Sequence, residues 1–442
     1  MNNEAVMNKE LKQSFQVPVW SPILEGEQAA WATAAVTAVA DAIGESRFPP
    51  RNAAPDLGTG ESGIALFFEY LDRARPGAGY GEIVQTRLER AIDGLALNRQ
   101  IPSLYSGFTG VAWTIEHVGG GADGEGDEEE DPNAEIDAAL LEHLRQTPWA
   151  FDYDLTNGLV GYGVYALERL PRPSAVACLE LVVERLAEIA DPRSGGIGWL
   201  TPLRLIPVPN RPYYPQGYEN LGVAHGSPGV IAVLARICAA GVAVERARPL
   251  LASAVSWLLA QKLPANERSV FPYSVGPEVR IRPARTAWCY GDPGIALALL
   301  AAGRAAGEPE WEREALELAR AVARRPAASC GVEDAGLCHG GLGLAHLLNR
   351  LYQATGDAEI LEAARVWFGR AREHWQPGRG IGGFLALTPP GDDFDRLEWT
   401  ADPSFLVGAS GMALTLLAAT SGIEPAWDRL LLISPLSDGD TA

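Results

Sequence analysis

Trp288-Cys289-Tyr290-Gly291-Asp292-Pro293-Gly294 and, further along the chain, Leu337-Cys338-His339-Gly340-Gly341-Leu342-Gly343 decide how this sequence is read. Each places a cysteine just ahead of a Gly-x-x-Gly pair that opens an apolar run. Two cysteines and a histidine set against such turns form a three-ligand metal set, and zinc is the ion that this donor chemistry suits. Three protein ligands leave the fourth position open, which marks a catalytic zinc rather than a structural one. Two thiolates and a neutral imidazole make a soft, formally neutral site that tolerates a third sulfur. The expected chemistry is activation of a substrate thiol.

Outward from those two stretches, the same turn recurs. The glycine pairs are Gly60/Gly63, Gly107/Gly110, Gly158/Gly161, Gly226/Gly229, Gly291/Gly294, Gly340/Gly343 and Gly408/Gly411, spaced 47 to 68 residues apart, which marks a repeat architecture. The first glycine of each pair is expected to take a positive φ, and the second to let its helix approach a neighbour closely. Ser227-Pro228 and Asp292-Pro293 read as an N-cap followed by an N1 proline.

The runs after the glycines (64–70, 230–240, 295–302, 344–348 and 412–419) are apolar all round, as buried helices are. Between the repeats lie amphipathic segments at 28–42, 80–96, 134–146, 175–190, 245–261, 310–325 and 357–375. Seven buried and seven amphipathic helices predict an all-α chain: an α/α toroid, a double barrel of inner and outer helices forming one domain over 1–442. The glycine turns then gather at one rim.

Three stretches break the alternation. Residues 119–132 (GGGADGEGDEEEDP) are acidic and glycine-rich and are expected to be mobile. The proline-rich insertions near 197–218 and 263–283 are expected to be extended loops or short strands, serving either as walls of a substrate site or as plain connections. The formal net charge of −20 argues against nucleic-acid binding, which needs a basic patch. No apolar run is long enough for a membrane span, and the polar start lacks a secretory signal, so a cytoplasmic protein is expected. Five cysteines do not make a disulfide framework. Cys178 and Cys238 sit in apolar helical patterns and read as core residues.

Residues just upstream of the glycine turns share the rim. Besides Cys289, Cys338 and His339, these are Asp154, His225, Arg285 and Tyr290. His225 is placed for general acid–base work, Asp154 to orient it or exchange a proton, and Arg285 to stabilise a developing oxyanion. The competing readings are buried thiols, a helix cap and a rim salt bridge. Cys330, eight positions before Cys338, is a rival ligand ranked below it. His117, His143, His346 and His374 receive no role.

The segments Ala287-Trp288-Cys289-Tyr290-Gly291-Asp292-Pro293-Gly294, Cys338-His339-Gly340, Asn220-Leu221-Gly222-Val223-Ala224-His225-Gly226 and Tyr153-Asp154-Leu155-Thr156-Asn157-Gly158-Leu159 resemble the lanthionine synthetase C-like cyclases. The resemblance implies an α/α toroid with one Zn²⁺ per chain, held by Cys289, Cys338 and His339. It implies Michael addition of peptide cysteines to dehydroalanine or dehydrobutyrine, giving thioether rings. His225 and Asp154 match positions of proton transfer, and Arg285 and Tyr290 positions lining the site. The implied partners are a dehydrated precursor peptide of leader plus core, a separate dehydratase and an export transporter, in a membrane-associated assembly. Some members carry an extra β-rich module, for which the sequence offers no obvious segment. Two alternatives stay open: a non-catalytic zinc protein binding glutathione or peptide thiols, and a prenyltransferase-like zinc toroid, which needs a basic diphosphate pocket where the rim turns offer only Arg285. A toroidal glycosidase lacks the paired carboxylates it needs.

Overall fold

The structure, a computed structural model, describes residues 20–44, 54–97, 101–120, 131–389 and 396–436. Of the acidic loop expected to be mobile, residues 121–130 lie outside the described residues, as do 1–16.

Among the described residues, fourteen α-helices alternate between two layers. The inner helices are α2 (Glu61–Ala74), α4 (Phe108–Val118), α6 (Leu159–Glu168), α8 (Ser227–Ala239), α10 (Asp292–Ala306), α12 (Gly341–Thr355) and α14 (Ala409–Thr420). The outer ones are α1 (Gly26–Gly44), α3 (Tyr80–Leu97), α5 (Ala134–Leu144), α7 (Pro173–Glu188), α9 (Val244–Leu259), α11 (Pro309–Ala323) and α13 (Ala358–Ala371). Each inner helix packs against the next, and α14 returns to pack against α2, so the inner ring closes. Each outer helix lies on an inner one, with α1 covering α14. The burial follows the sequence pattern. All thirteen residues of α8 are buried, whereas α11 buries only Ala315, Leu318, Ala319 and Val322. Cys178 and Cys238 belong to the core as expected.

The glycine turns do start the inner helices, but the reason for the first glycine differs from the expected one. Only Gly291 has a positive φ, +124°; Gly226, for example, is extended at φ −141°. What the position excludes is a side chain. A Cβ on Gly226 would lie 2.0 Å from the Asn220 carbonyl oxygen, because the chain folds back on itself in six residues. The second glycine acts as expected. A Cβ on Gly411 would lie 1.8 Å from the Phe405 oxygen and 3.1 Å from Leu337 Cβ of the adjacent repeat. Gly411→Ala is therefore predicted to destabilise the protein by about 3 kcal/mol, the upper end of overpacking costs, read from the urea unfolding midpoint. Gly44→Ala, whose Cβ would only touch Ile83 at 3.7 Å, is the control that leaves the midpoint in place.

The capping expectation also needs correction. The N-caps of α8 and α10 are Gly226 and Gly291, with no side-chain cap. Asp292 instead accepts the amide protons of Val270 (2.9 Å) and Phe271 (3.1 Å) and pairs with Arg325, fastening the second insertion to the ring.

The two insertions form short strands. β1 (Asp191–Arg193) and β2 (Gly196–Gly198) make a hairpin, while β3 (Leu200–Thr201), β4 (Tyr218–Asn220) and β5 (Ser274–Val275) form a three-stranded antiparallel sheet. The short strands expected on the two insertions are thus present, and they pair with one another across the insertions. β6 (Ala386–Thr388) pairs with β7 (Glu398–Thr400) before α14.

The C-terminal segment enters the ring. Arg236 of α8 bonds the Ser434 carbonyl, Arg304 of α10 that of Leu436, and Arg350 of α12 the Asp428 carboxylate. Tyr105 donates to the Leu430 oxygen and the Trp288 indole to that of Leu431, both at 2.8 Å. Partners from so many inner repeats meet only in the bore. Trp288 immediately precedes Cys289, so this segment anchors the turn that carries the first thiol.

Candidate metal and acid–base site

Cys289, Cys338 and His339 converge: one ligand atom from each lies within 4.8 Å of the others. They stand on adjacent turns because α10 and α12 are neighbours in the ring. The Cys338 amide donates to the Leu406 carbonyl at 2.8 Å, tying that turn to the next repeat. The Cys338 thiol against the Cys289 sulfur, together with the His339 ring and the Arg285 cation, holds Cys289 well below the usual thiol range despite its burial. The rival, Cys330, is wholly buried with its thiol toward the Pro326 oxygen (3.6 Å), outside the cluster.

The donor set fits zinc: two sulfurs and an imidazole gathered on one rim. A buried orphan supports the same fit. Asp334, 1% exposed, accepts the Gly336 amide through Oδ1, while its Oδ2 has no partner. Its charge acts on both His339 and Cys338. A carboxylate so placed suits the ring N–H that a metal-bound histidine turns away from its ion. Asp334→Asn is predicted to weaken zinc binding about 10- to 100-fold, measured by competition with a chromogenic chelator.

Beside this cluster stands a second one. His225 Nδ1 lies 2.6 Å from Asp154 Oδ2. Asp154 also takes the Thr156 hydroxyl (3.1 Å) and, through Oδ1, the Asn157 amide (2.7 Å). A carboxylate held by two other donors fixes the ring it bonds, so Nδ1 carries a proton toward Asp154 and Nε2 is left free on the ring's other side. Burial works against a protonated His225, but the hydrogen bond and charge of Asp154, with Cys289 and Asp152 adding, raise its pKa overall.

Tyr290 lines the gap between the clusters, its ring centroid 6.3 Å from that of His225, and its hydroxyl accepts the Asn220 amide at 3.0 Å. Arg285 Nε donates to the Tyr273 hydroxyl at 3.2 Å. Burial opposes its charge, while Tyr273 and the two thiols sustain it. All seven residues singled out in the sequence thus share one rim.

Sequence reasoning missed Thr156, Asn220, Tyr273, Asp334 and Asp152. Burial, then the charge of Asp154, raises the Asp152 carboxyl to about 6, a second proton-holding group near His225. A signal for three of them existed: Asp152, Asn220 and Asp334, like Arg285, each stand six residues before the first glycine of a pair.

A family model described as "Lanthionine synthetase C-like protein" matches residues 52–432. The chain belongs to this family. A relative, the nisin biosynthesis protein NisC of Lactococcus lactis subsp. lactis, is 27% identical over 315 residues, covering 65% of this chain and 71% of its own. A solved structure, "Nisin cyclase", superposes with a TM-score of 0.69 at 22% identity, covering 90% of this chain and 96% of its own. That likeness shows that this family member has the same toroidal fold. Among the described residues, no helix is long and apolar enough to cross a membrane.

Proposed function

We propose that this protein is a thioether-forming peptide cyclase, adding cysteine thiolates of a precursor peptide to dehydroalanine or dehydrobutyrine residues. The observation that carries the reading is the Cys289, Cys338 and His339 cluster standing beside the His225–Asp154 pair on one rim. Cys289, Cys338 and His339 would hold zinc, which when bound supplies a Lewis acid that keeps a peptide thiol deprotonated at neutral pH. As the sulfur–carbon bond forms at the β-carbon, the alkene electron pair moves toward the α-carbon and its amide oxygen. Arg285 is the cation placed to meet that negative charge. His225 Nε2 then delivers a proton to the α-carbon, and Asp154 stabilises the ring in its charged state before transfer. Tyr290, fixed by Asn220, walls the pocket against water.

The substrate must come from a dehydratase that converts serine and threonine to dehydroamino acids. NisC, the relative, is named for nisin biosynthesis, which agrees with this reading. Ring closure leaves the mass unchanged and consumes a thiol. A dehydrated, cysteine-containing peptide incubated with the zinc-loaded protein is therefore expected to lose reactivity toward iodoacetamide by mass spectrometry. Thiols that stay fully alkylatable, while the peptide binds, would leave a thiol-binding protein instead.

A further inference from the structure

The hydroxyl of Thr156 stands between the two members of the His225–Asp154 pair. Its Oγ1 lies 3.1 Å from Asp154 Oδ2 and 3.2 Å from His225 Nδ1, and the Asn157 side-chain amide donates to it at 2.9 Å. A hydroxyl carries one proton and two lone pairs, and an ionised carboxylate only accepts. With the Asn157 amide on one lone pair, the Thr156 proton points to Asp154 Oδ2. That oxygen already receives the Nδ1 proton of His225 at 2.6 Å. Asp154 Oδ2 thus serves two donors, while Oδ1 serves the Asn157 backbone amide at 2.7 Å.

The preceding repeat, not this hydroxyl, keeps Thr156 in place. Ser103 Oγ donates to the Thr156 carbonyl at 2.7 Å, and the Tyr105 amide donates to the same oxygen at 3.5 Å. Ser103 is braced in turn by the Ser106 amide at 3.1 Å. The backbone at 156 is therefore tied to the turn that opens α4, and the hydroxyl reaches the pair from a fixed base. None of these backbone bonds needs a hydroxyl at 156, so the side chain is there for what it does to its neighbours.

The charges that act on His225 come from two turns. Asp154 and Asp152 stand ahead of α6 and Cys289 ahead of α10, all three favouring the charged ring, with the uncharged Tyr290 ring packed at 6.3 Å. Thr156 acts in the opposite sense. A donor on Oδ2 stabilises the carboxylate by itself, which leaves less of its charge to hold the imidazolium. The ring stays oriented, yet gives up its Nε2 proton more readily.

We propose that Thr156 is a positioning residue of the proton-transfer pair: its hydroxyl fixes the oxygen of Asp154 that His225 faces and limits how strongly that carboxylate retains the proton of the ring. The inference rests on the cyclase reading for the step that His225 serves.

Thr156→Val removes the hydroxyl and keeps the branched shape, whereas Thr156→Ser keeps the hydroxyl. The test begins with single-turnover cyclisation of a dehydrated cysteine peptide by the full zinc-loaded chain. Thr156→Val is expected to slow the chemical step about tenfold, the worth of one hydrogen bond to a charged group, with peptide affinity unchanged. Thr156→Ser is expected to recover most of that loss. In an Asp154→Asn background the valine substitution is expected to lose less than about twofold, because a residue acting through the carboxylate is not additive with its removal.

A second readout needs no peptide. NMR of the zinc-loaded protein with isotopically labelled histidine follows the His225 ring, assigned by the signal missing from His225→Ala. In Thr156→Val its titration midpoint is expected to move to higher pH, since Asp154 then turns its whole charge on the ring. A residue that merely supported the turn would let Asp154 drift away, and the midpoint would fall. If Thr156→Val loses zinc or its native circular dichroism, Thr156→Ala takes its place with the same expectations. A wild-type rate in the valine variant, a serine variant no faster than the valine one, an equal loss in the Asp154→Asn background, or a midpoint that stays or falls overturns the proposal. A midpoint that rises while no thioether forms refutes only the cyclase reading, and ring formation with an unmoved midpoint refutes only the role of Thr156.

Discussion

His225→Ala is expected to keep its zinc and to form thioethers about 100- to 10,000-fold more slowly, the span that one positioned acid–base group contributes. The ring packs near Tyr290, but its hydrogen bonds go to Asp154 and Thr156 on another repeat rather than to Cys289, Cys338 or His339. Its removal therefore spares the metal cluster and strips the proton donor. The pH dependence has a definite sign. The folded protein raises the His225 pKa, so the protonated ring persists to higher pH and turnover falls only above the ordinary histidine range. In Asp154→Asn both the hydrogen bond and the charge weaken while burial stays, so that alkaline fall moves to lower pH. Single-turnover rates against pH check both statements. A wild-type rate in His225→Ala removes it from the mechanism.

Cys289→Ala is predicted to abolish ring formation without unfolding the protein. At pH 7 a free thiol is only about 3% thiolate, so loss of the metal lowers the reactive fraction roughly 30-fold by ionisation alone. Loss of positioning lowers the rate further. Cys289 is 7% exposed at the rim end of α10, and Trp288 still hangs from the Leu431 carbonyl, so the turn keeps its place. Alkylation mass spectrometry reads the rate and thermal unfolding the fold. Unfolding at ambient temperature would mean that the thiol is a core residue rather than a ligand.

The toroid was legible because its determinants are local. Seven glycine pairs each opening an apolar run state where the inner helices begin, and amphipathic segments such as 310–325 state which lie outside. The metal cluster was legible for the same reason. Cys289 and Cys338 occupy equivalent places in successive repeats, and closure of the ring converts that equivalence into proximity. His225 and Asp154 followed by the same logic, since each stands just ahead of a glycine turn.

What escaped is long-range. The C-terminal segment has neither a helical nor a strand period, and its partners, Tyr105 and Trp288, stand 325 and 143 residues away. Nothing local announces that it fills the bore. The short strands were expected on the insertions, but not their pairing with each other, Glu219 opposite Val275 for example, since two or three residues carry no alternation to announce a register. The misread glycines are instructive in another way. Composition says that a side chain is excluded, but only coordinates say whether a positive φ or a carbonyl 2.0 Å away excludes it. Asp334 was hidden because one carboxylate oxygen does the visible work of a turn, and the other waits without a protein partner.

The most direct test is zinc stoichiometry by elemental analysis, wild type beside Cys338→Ala, both purified without chelators. One zinc per wild-type chain and none in the folded variant is the predicted result. A wild type that takes up no zinc when it is supplied, or a variant that keeps a full equivalent, contradicts the assignment of Cys289, Cys338 and His339 as the metal site.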